Sequence, residues 1–425
     1  MYSDIKPKII FIAPYWGKND HVGRYRVERM SRCLSTENSS VTIIWSGWED
    51  RFVKGGKWNE LEIRDPLRSF TKNQTAPITQ PSKVVEKRFS LRNFIKKIVY
   101  YFDNDFVWSF WLTKKTMVKN VCKNADIIIS SSPPESIHLA SYLLAKKFNL
   151  KLVIDMRDGW IDEPLKLALR TSGFKKNIEE KFESITLRSA FKIFVTSDEW
   201  KKQLINRYKT CAPKISVITN AYPTYSFKLN SNKPARSRKT LLYAGRFRAS
   251  RNVNSIESLL DPLIKSSIKN ENCLEIKIFG VLTNDDFSAL KRRDEALRRA
   301  NINVYVKEPV TRTLLFEEID NSDGLLLLAV SKAAIPAKAF EYIPSGKPIL
   351  AITPRESAVW NLCLNLPQVF LVEFPGYDYS SQVNAFLDFI NLESKPFIIP
   401  PDYSELNIGK RFITELEIQN DNGKE

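Results

Sequence analysis

The chain has 425 residues, 43% of them hydrophobic, and a formal net charge of +17. That length exceeds what one core fills and points to two domains, while no apolar run reaches the roughly 18 residues of a membrane span. Five scattered cysteines (Cys33, Cys122, Cys211, Cys273 and Cys363) and two histidines offer neither a disulfide framework nor zinc-ligand spacing, so reduced thiols in a cytosolic protein are expected.

A charge ahead of an apolar run at the N-terminus has the look of a leader peptide, but the run spans only Ile9 to Ala13 before Pro14. Lys8 to Ala13 therefore reads as a first buried strand. Val22 to Leu34 is a predicted helix carrying Arg24, Arg26, Arg29 and Arg32, and Val41 to Trp45 a second strand. Ile63 to Val84, with Pro66, Pro77 and Pro81, is expected to be a long polar loop. Phe89 to Phe102 has helical apolar spacing on one side and Arg88, Arg92, Lys96 and Lys97 elsewhere. Such a segment either lies on an anionic membrane or packs as an ordinary surface helix, the commoner outcome.

Asp126 to Ser130 is the next strand, followed by the loop Ser131-Ser132-Pro133-Pro134, a helix from Ser136 to Phe148 and a strand from Lys151 to Asp155. Met156-Arg157-Asp158-Gly159-Trp160 then places charges just past a strand end, as a site lip does; Asp158 as the cap of a turn is the alternative. Helices at Lys175 to Ser189 and Asp198 to Tyr208 flank a strand at Lys192 to Thr196, and Ile215 to Thr219 closes the first half. Tyr222 to Lys239, rich in Pro, Ser, Asn and basic residues, is the candidate linker.

Alternation then restarts with strands Thr240 to Ala244, Leu274 to Phe279, Asn303 to Val306 and Gly324 to Ala329, and with helices Ile256 to Ser267, Asp285 to Ala300 and Thr313 to Asp320. The stretch IPAKAFEYIPSGKPILAI, Ile335 to Ile352, gives a short helix with Lys338 and Glu341, a Ser345-Gly346 stop and a buried strand. Two charges beside a fully buried strand suggest a ligand site beyond the carboxyl edge of a parallel sheet; a solvated pair three residues apart is the alternative. A helix near Val359, a strand from Val369 to Val372 and a docked tail helix from Ile408 to Ile418 complete the chain. Strands alternating with helices throughout imply parallel βαβ units.

The order and spacing of KIIFIAPYW, KLVIDMRDGW, ISVITNAY, LLYAGRF and PAKAFEYIPSGKPILA resemble the retaining, family-four-like (group 1) glycosyltransferases of GT-B fold over nearly the whole chain. The resemblance implies an α/β protein of two Rossmann-like domains with parallel sheets facing across a cleft. Residues 1–221 would bind acceptor, residues 222–405 nucleotide sugar, and residues 406–425 would form a tail docking on the first domain. Gly245-Arg246 matches the family's Gly-Arg, with Arg251 as a second cation, to stabilise the roughly two negative charges of a departing diphosphate; arginine's planar fork suits phosphate.

Glu341 matches the second glutamate of the paired-glutamate motif, which accepts from ribose hydroxyls, whereas Ala333 stands where the first would be. Lys338 offers a further cation, and Gly280 and Val310 match positions lining the base pocket. Gly23 matches a glycine approaching the donor phosphates. Arg157-Asp158 stands where the family carries His-Asp, Arg157 to orient the donor or acceptor sugar and Asp158 to hold an acceptor hydroxyl. No carboxylate nucleophile and no cofactor beyond the nucleoside diphosphate sugar as co-substrate are implied.

The expected partners are a nucleotide sugar, a glycan or lipid-linked acceptor of envelope polysaccharide or glycolipid synthesis, and an anionic membrane surface met by the basic charge, with the protein cytoplasmic and peripheral at the inner face. No compact basic block or RNA-binding motif marks a nucleic-acid partner. A nucleotide-sugar epimerase and a non-catalytic nucleotide-sugar-binding scaffold are the alternatives.

Overall fold

A computed structural model describes residues 7–18, 22–36, 39–68, 103, 105–161, 173–228, 237–245, 247, 256–270, 273–376, 379–392 and 396–416. The amphipathic segment Phe89 to Phe102 lies outside the described residues, as do most of the expected loop up to Val84 and the middle of the linker.

Strands β1 (Lys8–Ile12), β2 (Ser40–Gly47), β3 (Arg51–Val53), β4 (Asn59–Arg64), β5 (Ile127–Ser132), β6 (Lys151–Met156), β7 (Lys192–Val195) and β8 (Ile215–Val217) form one eight-stranded sheet, ordered β3-β4-β2-β1-β5-β6-β7-β8. Pairing is parallel except between β3 and β4. In β1, Ile9 to Ile12 are all buried, the unbroken apolar run of a strand covered on both faces. Helix α1 (Val22–Thr36) packs beside this sheet, with α2 (Phe106–Leu112), α3 (Thr116–Lys123), α4 (Ser136–Phe148), α5 (Gly173–Ser189) and α6 (Asp198–Arg207) completing the first lobe.

The second lobe is a six-stranded sheet of β9 (Lys239–Ala244), β10 (Leu274–Phe279), β11 (Ile302–Lys307), β12 (Gly324–Leu328), β13 (Ile349–Thr353) and β14 (Val369–Glu373), ordered β11-β10-β9-β12-β13-β14. It is parallel throughout, the doubly wound order. Its helices are α7 (Ile256–Asn270), α8 (Asn284–Arg292), α9 (Asp294–Arg299), α10 (Arg312–Asn321), α11 (Ala337–Tyr342), α12 (Ala358–Cys363) and α13 (Ser380–Ile390). The chain then recrosses: Tyr222 N donates to Tyr403 O at 2.9 Å, and α14 (Glu405–Glu415) lies on α1 and the first sheet. Phe412 meets Phe194 edge-on at 5.5 Å, and Arg32 bonds Glu405 at 2.8 Å.

Two local expectations are corrected and one further helix appears. Ile63 is not in a loop: it is fully buried in β4, a strand the run of neighbouring charges concealed. The single helix expected from Asp285 to Ala300 is two, α8 starting in a Thr283–Asp286 capping box and breaking at Arg293, which is drawn to Asp261 at 2.5 and 2.9 Å. Helix α13 was unread although Val383, Phe386, Leu387 and Ile390, all buried, recur at helical spacing.

Candidate active site

Strand order reverses between β1 and β5 in the first sheet and between β9 and β12 in the second. Loops leaving the carboxyl ends of such strands diverge and open a crevice, the common ligand position of doubly wound sheets.

In the second lobe the crevice begins at Gly245, directly after β9, with φ of +143°, a conformation side-chain-bearing residues rarely adopt. Its amide donates to Phe279 O at 2.9 Å, and its carbonyl oxygen lies 1.9 Å from where a Cβ on Gly280 would stand. The two backbones thus meet at the ends of β9 and β10 with no space for a side chain on Gly280. Over this bare corner α11 sets Lys338, its Nζ 4.0 Å from the Tyr243 ring centroid and 3.2 Å from the place of a Gly245 Cβ. Tyr342 of the same helix accepts from Ala244 N at 2.9 Å, locking α11 to the end of β9. Burial pushes the Lys338 amine down to about 7, the charge of Glu341 partly opposing it.

Lys338 and Glu341 are not a surface pair. Lys338 makes no hydrogen bond or salt bridge among the described residues, while Glu341 Oε1 accepts from Arg312 Nε at 3.0 Å. Arg312 opens α10 two residues after Val310, which packs on the cluster holding Tyr222, Phe316 and Phe340. The Arg312 guanidinium also lies 4.3 Å from the ring centroid of Tyr25, in α1 of the first lobe. Gly23, buried in the first turn of that helix, is two residues from this contact.

Position 333 is closed to a charged side chain. Ala333 is 2% exposed within the apolar cluster of the first lobe that holds Trp200 and Leu204, and its carbonyl accepts from Ser197 Oγ at 2.6 Å. The residue belongs to the seam between lobes, where a glutamate would bury a charge.

In the first lobe, Arg157 follows β6. Its Nε donates to Ser132 O at 2.5 Å and Nη2 to Pro133 O at 3.4 Å, and burial lowers its pKa despite Asp158 and Asp155. It braces the loop after β5. Asp158 lines a small cavity with Gly159, Trp160, Glu183 and Trp200. No hydrogen bond or salt bridge links either residue to the second lobe among the described residues. Arg246 and Arg251 lie outside the described residues. The structure therefore gathers Gly245, Gly280 and Lys338 at one corner with Glu341 one turn on, packs Val310 on the neighbouring apolar cluster, and keeps Gly23, Arg157 and Asp158 on the opposite lobe.

Several residues went unread. Arg26 of α1 holds the fully buried Asp155 through Nε at 3.0 Å and Nη2 at 2.7 Å, and donates to Ile218 O and Thr219 O at 2.8 and 2.9 Å. The visible signal was an acid at the end of an apolar strand, LVID, which demands a buried partner. Arg29 donates to Ala221 O at 2.6 Å, so the basic stripe of α1 largely wires the first lobe to the crossover. A second unread group sits near the loop after β1: Tyr15 OH reaches Asp105 at 3.4 Å, and burial, with Asp103 and Asp65, pushes the Asp105 carboxyl up to about 7. Asp103, Glu135, Glu179, Phe106, Trp160 and Phe182 line an adjoining pocket.

No protein-family model matches the sequence, and no curated protein matches it. Solved structures do. A glycosyltransferase from Rickettsia africae superposes with a TM-score of 0.61 at 14% identity, covering 98% of this chain and all 100% of its own. The fold is GT-B. Anabaena HepE, in complex with UDP and glucose, shares this GT-B architecture with a TM-score of 0.57 at 12% identity over 97% of this chain and 100% of its own. A UDP-GlcNAc 2-epimerase from Methanocaldococcus jannaschii aligns at 0.50 and 14% identity over 98% of this chain and 100% of its own. These likenesses establish the fold.

Proposed function

We propose that this chain transfers a sugar, with retention, from a nucleoside diphosphate sugar to a hydroxyl acceptor. The carrying observation is the corner of Gly245 and Gly280 with the Lys338 amine poised above it and Glu341 one turn on. Bare backbone lets a diphosphate approach closely, a cation stabilises the charge that develops on it as the sugar leaves, and a carboxylate suits ribose hydroxyls. Arg246 and Arg251 join this set by sequence position. The nucleoside diphosphate sugar is the co-substrate, and no resident cofactor enters the scheme. HepE, which shares the fold, was solved with UDP and glucose, which supports the donor class.

The acceptor is assigned to the first lobe, which carries Arg157 and Asp158 just past β6 on the side opposite the donor corner. His138, one of the two histidines, is buried with Nδ1 on Ser130 Oγ at 2.7 Å, away from any role in proton transfer at a sugar carbon, which supports transfer over epimerisation; His21 lies outside the described residues. The test is a thermal-shift screen of UDP, GDP, ADP and their glucose and N-acetylglucosamine conjugates, then NMR of the product anomer. Stabilisation by one family, release of nucleoside diphosphate only with acceptor, and a retained anomeric configuration are expected. An epimerised nucleotide sugar formed without acceptor would overturn the reading.

We assign the site to a membrane-borne acceptor. The outer edge of the first sheet exposes Trp48 (51%), Phe52 (46%) and Val53 (46%) beside the exposed Lys54 and Lys57, a pairing of rings and cations suited to an anionic interface. Co-sedimentation is expected with vesicles containing phosphatidylserine and not with phosphatidylcholine alone; equal pelleting on both would remove the assignment.

A further inference from the structure

Arg312 meets Glu341 through a single contact, Nε to Oε1 at 3.0 Å, and no partner of Oε2 is found among the described residues. The pair is well shielded, Arg312 24% and Glu341 14% exposed. The guanidinium lies over rings from both lobes, 4.3 Å from the centroid of Tyr25 and 5.1 Å from that of Phe316. We propose that Arg312, braced by Tyr25 of the first lobe, is a positioning residue that presents Glu341 to the ribose, so that nucleotide affinity depends on the lobes meeting.

The inference rests on the nucleotide-sugar reading above, and three observations carry it. Ala333, committed to the seam, leaves Glu341 without a glutamate at that position to share the work of holding the pentose. Among the described residues, the other cations that interact with Glu341 have further partners: Arg29 donates to Ala221 O, and Lys338 lies on Tyr243. A carboxylate on a six-residue helix such as α11 would otherwise sample several rotamers, and holding one oxygen in place lowers the ordering cost of binding. The free oxygen is then the acceptor for a ribose hydroxyl. Because the contact to the acid is made through Nε with the guanidinium over the Tyr25 ring, lysine would not replace it, and because Tyr25 belongs to the other lobe, separating the lobes loosens the acid.

Isothermal titration of the full chain with the tightest binder among UDP, GDP and ADP, and with inorganic pyrophosphate, tests this. Arg312→Ala, Arg312→Lys and Tyr25→Leu are each expected to weaken nucleotide binding about tenfold, a hydrogen bond to a charged group being worth that much. Pyrophosphate, which has no ribose, should bind within about twofold of wild type, and Tyr25→Phe, which keeps the ring, should resemble wild type. Circular dichroism melts identify any variant that fails to fold, and substitutions on two lobes leave at least one informative. Equal loss for pyrophosphate and nucleotide, or unchanged nucleotide affinity in folded Arg312→Ala or Tyr25→Leu, overturns the inference. Wild type binding none of the three nucleotides overturns the nucleotide-sugar reading itself.

Discussion

Lys338→Ala is expected to reduce sugar transfer by about 10²–10³-fold, the usual effect of removing one fixed donor from developing charge. The amine sits above two backbones that leave no room for a side chain on Gly280, so the lost charge cannot be replaced from that side. Lys338→Arg should rescue little: the longer, forked head would collide with the corner that Tyr243 and Gly245 close. Stability should rise or hold, since the variant no longer buries an amine. Acidity gives a second signature. With the free amine near 7, a diphosphate arriving beside it favours the protonated form and raises its pKa. Nucleoside diphosphate affinity is therefore full below about pH 7 and falls as pH rises above it, and binding near neutrality takes up a proton. Calorimetry in buffers of different ionisation enthalpy measures that uptake; none in wild type, or the same uptake in Lys338→Ala, would show that the titrating group lies elsewhere. Glu341→Ala should lose nucleotide affinity while keeping this proton uptake with pyrophosphate.

The second large effect concerns stability. Asp155→Ala should lower the unfolding free energy of the first lobe by about 3–5 kcal/mol, the range for stripping one partner from a buried ion pair. Arg26 is 3% exposed and would keep its charge with only the carbonyls of Ile218 and Thr219 as acceptors. Arg26→Met with Asp155→Leu should recover most of the loss, because two apolar side chains of similar size remove both desolvated charges. Burial alone would raise the Asp155 carboxyl, but Arg26 and the hydroxyl of Ser131 outweigh it and hold it below the ordinary carboxylate value. The stabilisation is thus complete at neutral pH and lost as pH falls below about 4, through the depressed native pKa. Urea titrations at pH 7 and pH 3 separate these cases: the double variant should show a flatter acid limb. A single-variant midpoint equal to wild type at pH 7 would mean the pair contributes nothing net.

Much of the architecture was legible because the information is local. Unbroken four-residue runs such as Ile9 to Ile12 and Leu325 to Leu328, all buried, too short for a typical helix and bounded by turn residues, read as strands covered on both faces. Where charge interrupts the pattern, legibility fails: NELEIR, the sequence of β4, alternates acids with apolar residues, and Glu62 is itself buried with Arg51 and the Trp48 amide as partners. The same limit applies at the site. Glycines 245 and 280 and the helix bearing Lys338 and Glu341 stand out as punctuation in the chain, but whether the two charges face each other does not.

By itself the sequence determined two alternating α/β halves and most of their buried strands, since apolar periodicity states which face of each element leaves water. Only the tertiary structure decided which charges meet. Arg26 finds Asp155 across 129 positions, and Arg312 takes Glu341 across 29 while reaching Tyr25 in the other lobe. Position 333 likewise became seam and not pocket only when Ser197 closed on its carbonyl. A charge carries no period that names its partner; the pairing follows from which elements the packed sheets bring together and from the cost of burying a charge alone.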